Sequence, residues 1–119
     1  RLDNLMFRPN GETVVLDWQA LGWGRAGWEV AYFITTALEP HHRQEEQMLL
    51  RRYHQVLIGE GVQDYSYEDL VDDVTTTKAV LAHRMVAGDD LLDTGMEDGQ
   101  PDFVDVLVQR VVGWVDLEE

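Results

Sequence analysis

The sequence predicts a mainly α (α+β) fold: a short N-terminal β-hairpin followed by about four helices. Two short apolar runs, Leu5-Met6-Phe7 and Thr13–Leu16, flank Pro9-Asn10-Gly11, a combination that signals a hairpin turn. From residue 28 onward the apolar residues recur at helical rather than alternating spacing. No internal repeat or low-complexity tract interrupts this order. With 119 residues and 45% hydrophobic content, the chain is large enough for one modest core. Residues 1–119 are therefore read as a single domain. Residues 1–27 hold the hairpin and its loops, and residues 28–119 form a helical lobe.

The elements follow in order. Trp18–Gly27 is a Gly-rich loop, and Trp28 to about Leu38 (WEVAYFITTAL) is apolar nearly all round, which predicts a buried helix with Trp28 in the core. Pro40 suits a helix start. That helix runs to about Ile58, with Leu49, Tyr53, Val56 and Leu57 on its inner face, and Gly59 or Gly61 ends it. Ser66-Tyr67-Glu68-Asp69 has the shape of a capping box. The helix it opens continues to about Ala87, with Leu70, Val74, Leu81 and Met85 facing inward. Residues 88–101 form an acidic, Gly-containing loop. A last helix runs from Pro101 or Asp102 to about Leu117, with Phe103, Val104, Leu107, Val108, Val111 and Val115 as its apolar stripe.

The formal charge is −14, and it is unevenly placed. Residues 1–59 carry seven acids against six Lys and Arg, whereas residues 60–119 carry sixteen against three. A field of that sign repels phosphate backbones and anionic lipid, so neither nucleic acid nor a membrane is an expected partner. It permits a cationic small molecule and also serves plain solvation. There is no Cys, which removes disulfides and thiolate metal sites. With no signal peptide and no apolar run long enough to span a bilayer, a cytoplasmic protein is expected. The sequence starts at Arg1 rather than Met, as a processed product or a fragment does.

Gly22, Gly24 and Gly27 spell G-x-G-x-x-G after a strand, but a dinucleotide site needs a second parallel strand ending in an acid. None follows here, so these glycines are read as giving the loop a tight turn. Asn4 and Asp17 are the stronger candidates. An Asp ending a strand and an Asn in the adjoining loop can each give one oxygen to Mg²⁺, and phosphoryl transfer needs cations on the phosphates more than covalent help from the protein.

The run RLDNLMF…VVLDWQ…GWG…WEVAYF resembles the C-terminal lobe of the aminoglycoside phosphotransferase-like family, with its ecdysteroid-kinase-like and choline-kinase-like relatives, all of protein-kinase-like fold. The likeness is closest over residues 1–38, where Asn4, Asp17-Trp18 and Glu29-Val30-Ala31 match in order and spacing. It implies an ATP- or GTP-dependent phosphotransferase acting on a small-molecule hydroxyl. Asn4 and Asp17 would hold Mg²⁺, and Arg1 would lie near the transferred phosphate as a catalytic cation. Glu29 would brace the catalytic loop, in place of the usual Asp. The family's catalytic Asp would fall two positions before Arg1, outside this sequence, as would an N-terminal lobe. These 119 residues alone are thus expected to transfer no phosphate. The missing lobe or a second copy is the expected partner. A non-catalytic helical interaction or dimerisation module on the same scaffold is the competing expectation.

Further candidates concern the substrate. In relatives that modify amino sugars, acidic residues of the C-terminal region hold the amines, which brings forward Asp89, Asp90 and Asp93, with Glu97 and Asp98 beside them. His83 either flanks a substrate cleft or, as the favoured reading, is a satisfied interhelical His. Trp23 either lines a pocket or packs on the hairpin. His41, His42 and His54 have no metal-site spacing; His41 and His42 are read as solvated and His54 as a surface or boundary residue.

Overall fold

The computed structural model describes residues 4–86 and 103–114. It opens with an antiparallel hairpin, β1 (Leu5–Phe7) and β2 (Thr13–Val15), paired Leu5 to Val15, Met6 to Val14 and Phe7 to Thr13. The turn forms as its residues dictate. Gly11 N donates to Arg8 O at 2.9 Å, Arg8 N donates to Glu12 O at 2.8 Å, and Gly11 takes φ 84°. That is a type I turn followed by a left-handed glycine, where any other residue would be strained. The Asn10 side chain accepts from Glu12 N at 3.1 Å, and Arg8 pairs with Glu12.

Four α-helices follow: α1 (Ala26–Ala37), α2 (Glu46–Gly59), α3 (Tyr67–Val86) and α4 (Phe103–Trp114). Helix α1 packs on α3, with α4 against both. Ala31, Ile34, Leu50, Leu70, Val74 and Trp114 form the core. At the C-terminal end of α1 the orphaned carbonyls find partners on α4. Arg110 donates to Thr36 O and Trp114 Nε1 donates to Leu38 O, both at 3.1 Å. Lys78 of α3 pairs with Glu46 of α2, its ammonium 5.2 Å from the Trp114 ring centroid. This cation and indole join three helices beside the core.

The expected order of a hairpin and four helices is therefore present, with three corrections. Pro40 opens a 3₁₀ segment, Pro40–Glu45, and the α-helix proper begins only at Glu46. Gly113 of α4 is pressed against Pro40, so this segment lies in direct contact with α4. On α2 the buried leucine is Leu50 rather than Leu49, and Val56 is exposed. Trp28 is 39% exposed, whereas Trp114 is 2% exposed and supplies the buried indole. The capping box forms in full: Asp69 N donates to Ser66 Oγ at 3.0 Å, and Ser66 N donates to Asp69 Oδ2 at 2.8 Å.

Candidate active site

The hairpin register sets the geometry of the Asn4–Asp17 pair. Pairing Leu5 with Val15 puts residues 4 and 16 opposite each other, and Leu16 N donates to Asn4 O at 2.8 Å. The next residue, Asp17, leaves the strand with φ 62° and ψ 62°. This left-handed conformation costs a non-glycine residue on the order of 1 kcal/mol, and Asp tolerates it better than most. It coincides with the approach of the two side chains, in which Asn4 Nδ2 donates to Asp17 Oδ2 at 3.3 Å. On the following turn Trp18 Nε1 donates to Val15 O at 3.0 Å and holds the chain against the end of β2. Strained residues concentrate where function requires a fixed side chain.

The pair carries two hard oxygen groups, the Asn4 amide carbonyl and the Asp17 carboxylate, with the amide nitrogen turned to the carboxylate; Asp17 is exposed and Asn4 half-buried. Mg²⁺ is commonly held by one or two protein oxygens, with phosphates and water completing six positions. The donor set fits that pattern. No cluster of three or more His, Asp or Glu that could hold a metal ion occurs among the described residues, so a cation here would rely on its phosphates.

The other predicted residues are placed as follows. Glu29 lies exposed in the first turn of α1. Trp23 is fully exposed and is not packed on the hairpin. His83 lies on the outer face of α3, in an open groove of about 550 Å³ with Thr75, Thr76, Ala79, Val80 and Arg84. No hairpin residue lines this groove. His54 Nε2 is 2.9 Å from Tyr65 O. Arg1, Asp89, Asp90, Asp93, Glu97 and Asp98 lie outside the described residues.

One cluster escaped the sequence reading. Asp73, on α3, is 6% exposed. Its Oδ2 accepts from the Tyr65 hydroxyl at 2.8 Å, and its Oδ1 is ion-paired with Arg25, the residue that precedes α1. The Arg25 guanidinium is held above its ordinary pKa, first by the hydrogen bond to Asp73 and then by its charge. Burial pushes the Tyr65 phenol strongly upward, and the hydrogen bond to Asp73 adds to this. Nearby, Tyr53 donates to Ala26 O at 3.1 Å. The available signal was spacing: Asp73 falls on the helical face of Leu70, Val74, Thr77 and Leu81, all buried, and an acid on such a face requires a partner.

The family model of the ecdysteroid kinase-like family matches residues 1–64. No curated protein and no solved structure gives a significant match. The matched segment contains the hairpin, the Asn4–Asp17 pair, α1 and α2. With more than half of its 119 residues matched, the chain belongs to the ecdysteroid kinase-like family.

Proposed function

We propose that the chain is the C-terminal lobe portion of a small-molecule kinase that moves the γ-phosphoryl group of ATP or GTP onto a substrate hydroxyl. The observation that carries this reading is the Asn4–Asp17 pair: a carboxylate on a left-handed residue at a strand end, 3.3 Å from an asparagine amide thirteen residues earlier. Asn4 Oδ1 and the Asp17 carboxylate would hold Mg²⁺. When bound, the cation neutralises charge on the phosphates. Asn4 and Asp17 would then fix the phosphates against the hairpin end, with Arg1 as a further cation and Glu29 bracing the catalytic loop. The acidic C-terminal half, Asp89, Asp90 and Asp93 included, supports a cationic amino alcohol such as an aminoglycoside. Trp23 and His83 are the aromatic candidates on the substrate side.

The test is Mn²⁺ binding with and without ATP, read by the resonance of free Mn²⁺. Wild type is expected to bind, Asp17→Asn to lose at least tenfold in affinity, and Asn4→Ala to lose less. Equal affinity in wild type and Asp17→Asn overturns the reading.

A second reading, a non-catalytic interaction or dimerisation module, is favoured by the exposed apolar residues of the hairpin and loop. Phe7 is 68%, Trp18 60% and Leu21 77% exposed, and a surface of this kind marks an interface. A sedimentation mass of twice 13.7 kDa, with no Mn²⁺ binding, would favour it.

A further inference from the structure

We propose that Asp73, acting through Arg25, is a positioning residue for the metal ligand Asp17; this rests on the kinase reading above. The eight residues from Trp18 to Arg25 join Asp17 to α1. The described side chains along this stretch are exposed, and the stretch contains one internal backbone hydrogen bond, Leu21 N to Trp18 O at 3.1 Å. Its conformation therefore depends on its two ends. At the first, Trp18 Nε1 is bonded to Val15 O. At the second, the backbone turns into α1, with Trp28 N donating to Arg25 O at 3.1 Å, and the Arg25 side chain, 79% exposed, reaches from solvent to a carboxylate that is 6% exposed.

That carboxylate is itself fixed. Tyr65 holds its other oxygen, and Gly27 leaves no gap between α1 and the Asp73 backbone. An ion pair with one exposed partner adds little to global stability. Its effect is local, because a short connection anchored at both ends has few conformations left to it. Asp73 thereby ties the buried face of α3 to the loop whose first residue follows Asp17. Loss of the tie loosens the α1 end of the loop, and the left-handed Asp17 keeps only the hairpin and Trp18 to hold its carboxylate towards Asn4.

The experiment compares wild type, Arg25→Gln, Arg25→Lys and Asp73→Asn. Arg25→Gln removes the pair from the exposed side and leaves the core intact. Asp73→Asn keeps the shape and an acceptor for Tyr65. Two quantities are read: Mn²⁺ affinity, and amide hydrogen exchange at Leu16 and Leu21. Arg25→Gln and Asp73→Asn are each expected to weaken Mn²⁺ binding about tenfold, the scale on which residues supporting metal ligands act. Exchange at both amides should quicken, while Arg8 N at the far end of the hairpin stays unchanged. Arg25→Lys should restore most of the affinity. A fall in melting temperature with Mn²⁺ affinity and both exchange rates unchanged would make the pair merely structural and overturn the proposal. If wild type binds no Mn²⁺, the kinase reading fails and the metal-positioning role falls with it; exchange in Arg25→Gln then shows separately whether the tie orders the loop, faster at Leu16 and Leu21 if it does and unchanged if it does not.

Discussion

Gly27 of α1 stands so close to Asp73 of α3 that a Cβ at position 27 would collide with the Asp73 side chain and lie 3.0 Å from the Val74 backbone nitrogen. The two helices touch backbone to backbone there, and the neighbouring atoms are not the far end of a flexible chain. Gly27→Ala gains up to about 1 kcal/mol in helix propensity. It must also force the helices apart, an overpacking cost of about 1–3 kcal/mol. We expect net destabilisation, read as a lower urea midpoint at unchanged slope, and a weaker Arg25–Asp73 contact with it.

The Tyr65 phenol gives the fold an alkaline limit. Its pKa is raised in the folded state, by burial first and by the Asp73 hydrogen bond next, and that of Tyr53 is raised by burial and by Glu29. A raised folded pKa means that the unfolded chain releases the proton first. The contribution is fully present below the ordinary tyrosine pKa of about 10 and is lost as pH climbs above it. Unfolding scans between pH 9 and 11 should show stability falling with pH, and Tyr65→Phe should flatten that fall. An identical slope in the variant rejects the assignment.

At the start of α3 the dependence has the opposite sense. The Asp69 carboxyl is held below the usual carboxylate range, mainly by its hydrogen bonds with the Ser66 side chain and backbone. A depressed folded pKa contributes stability above the unfolded value, and this is lost as pH falls through the folded one. Ser66→Ala should cost about 1 kcal/mol near neutrality, as loss of an N-cap does. It should also reduce the acid sensitivity of unfolding below pH 4, and chemical denaturation at pH 7 and pH 3 checks both.

The hairpin, the capping box and the Asn4–Asp17 pair were legible because each is encoded within a few residues or by a register that a turn fixes. Pro9-Asn10-Gly11 sets the turn, the turn sets the pairing, and the pairing brings Asn4 opposite the end of β2. Helical stripes were legible as faces but not as depths. Trp114 lies on the helical face of Leu107 and Val111, but periodicity did not rank it above Trp28, or Leu50 above Leu49, and tertiary packing put Trp114 and Leu50 in the interior. The 3₁₀ segment at Pro40–Glu45 packs against Gly113 of α4, some seventy residues away in sequence; Pro40 marks locally that a helix starts but not that it starts as a 3₁₀ segment. The Arg25–Asp73 pair spans forty-eight residues. Its one trace is an acid on an apolar face, which says that a partner exists without saying which.

The burial of the tryptophans gives a spectroscopic test of the helical packing. Trp18 and Trp23 are exposed, Trp28 is 39% exposed and Trp114 is 2% exposed, so the bluest part of the emission belongs to Trp114. Trp114 also donates to Leu38 O and lies under the Lys78 ammonium. Trp114→Phe removes a hydrogen bond worth about 1 kcal/mol and leaves Leu38 O, an orphaned carbonyl at the end of α1, without its donor. The smaller ring adds a cavity cost, for a total of about 2–4 kcal/mol. The variant should unfold at lower urea, and its native emission should shift to the red, towards that of exposed indole. Trp28→Phe should leave the blue component in place, because its ring is not part of the core. A blue component that survives Trp114→Phe but disappears in Trp28→Phe would mean that α1 presents its other face to α3, and would remove the packing on which the Gly27–Asp73 contact depends.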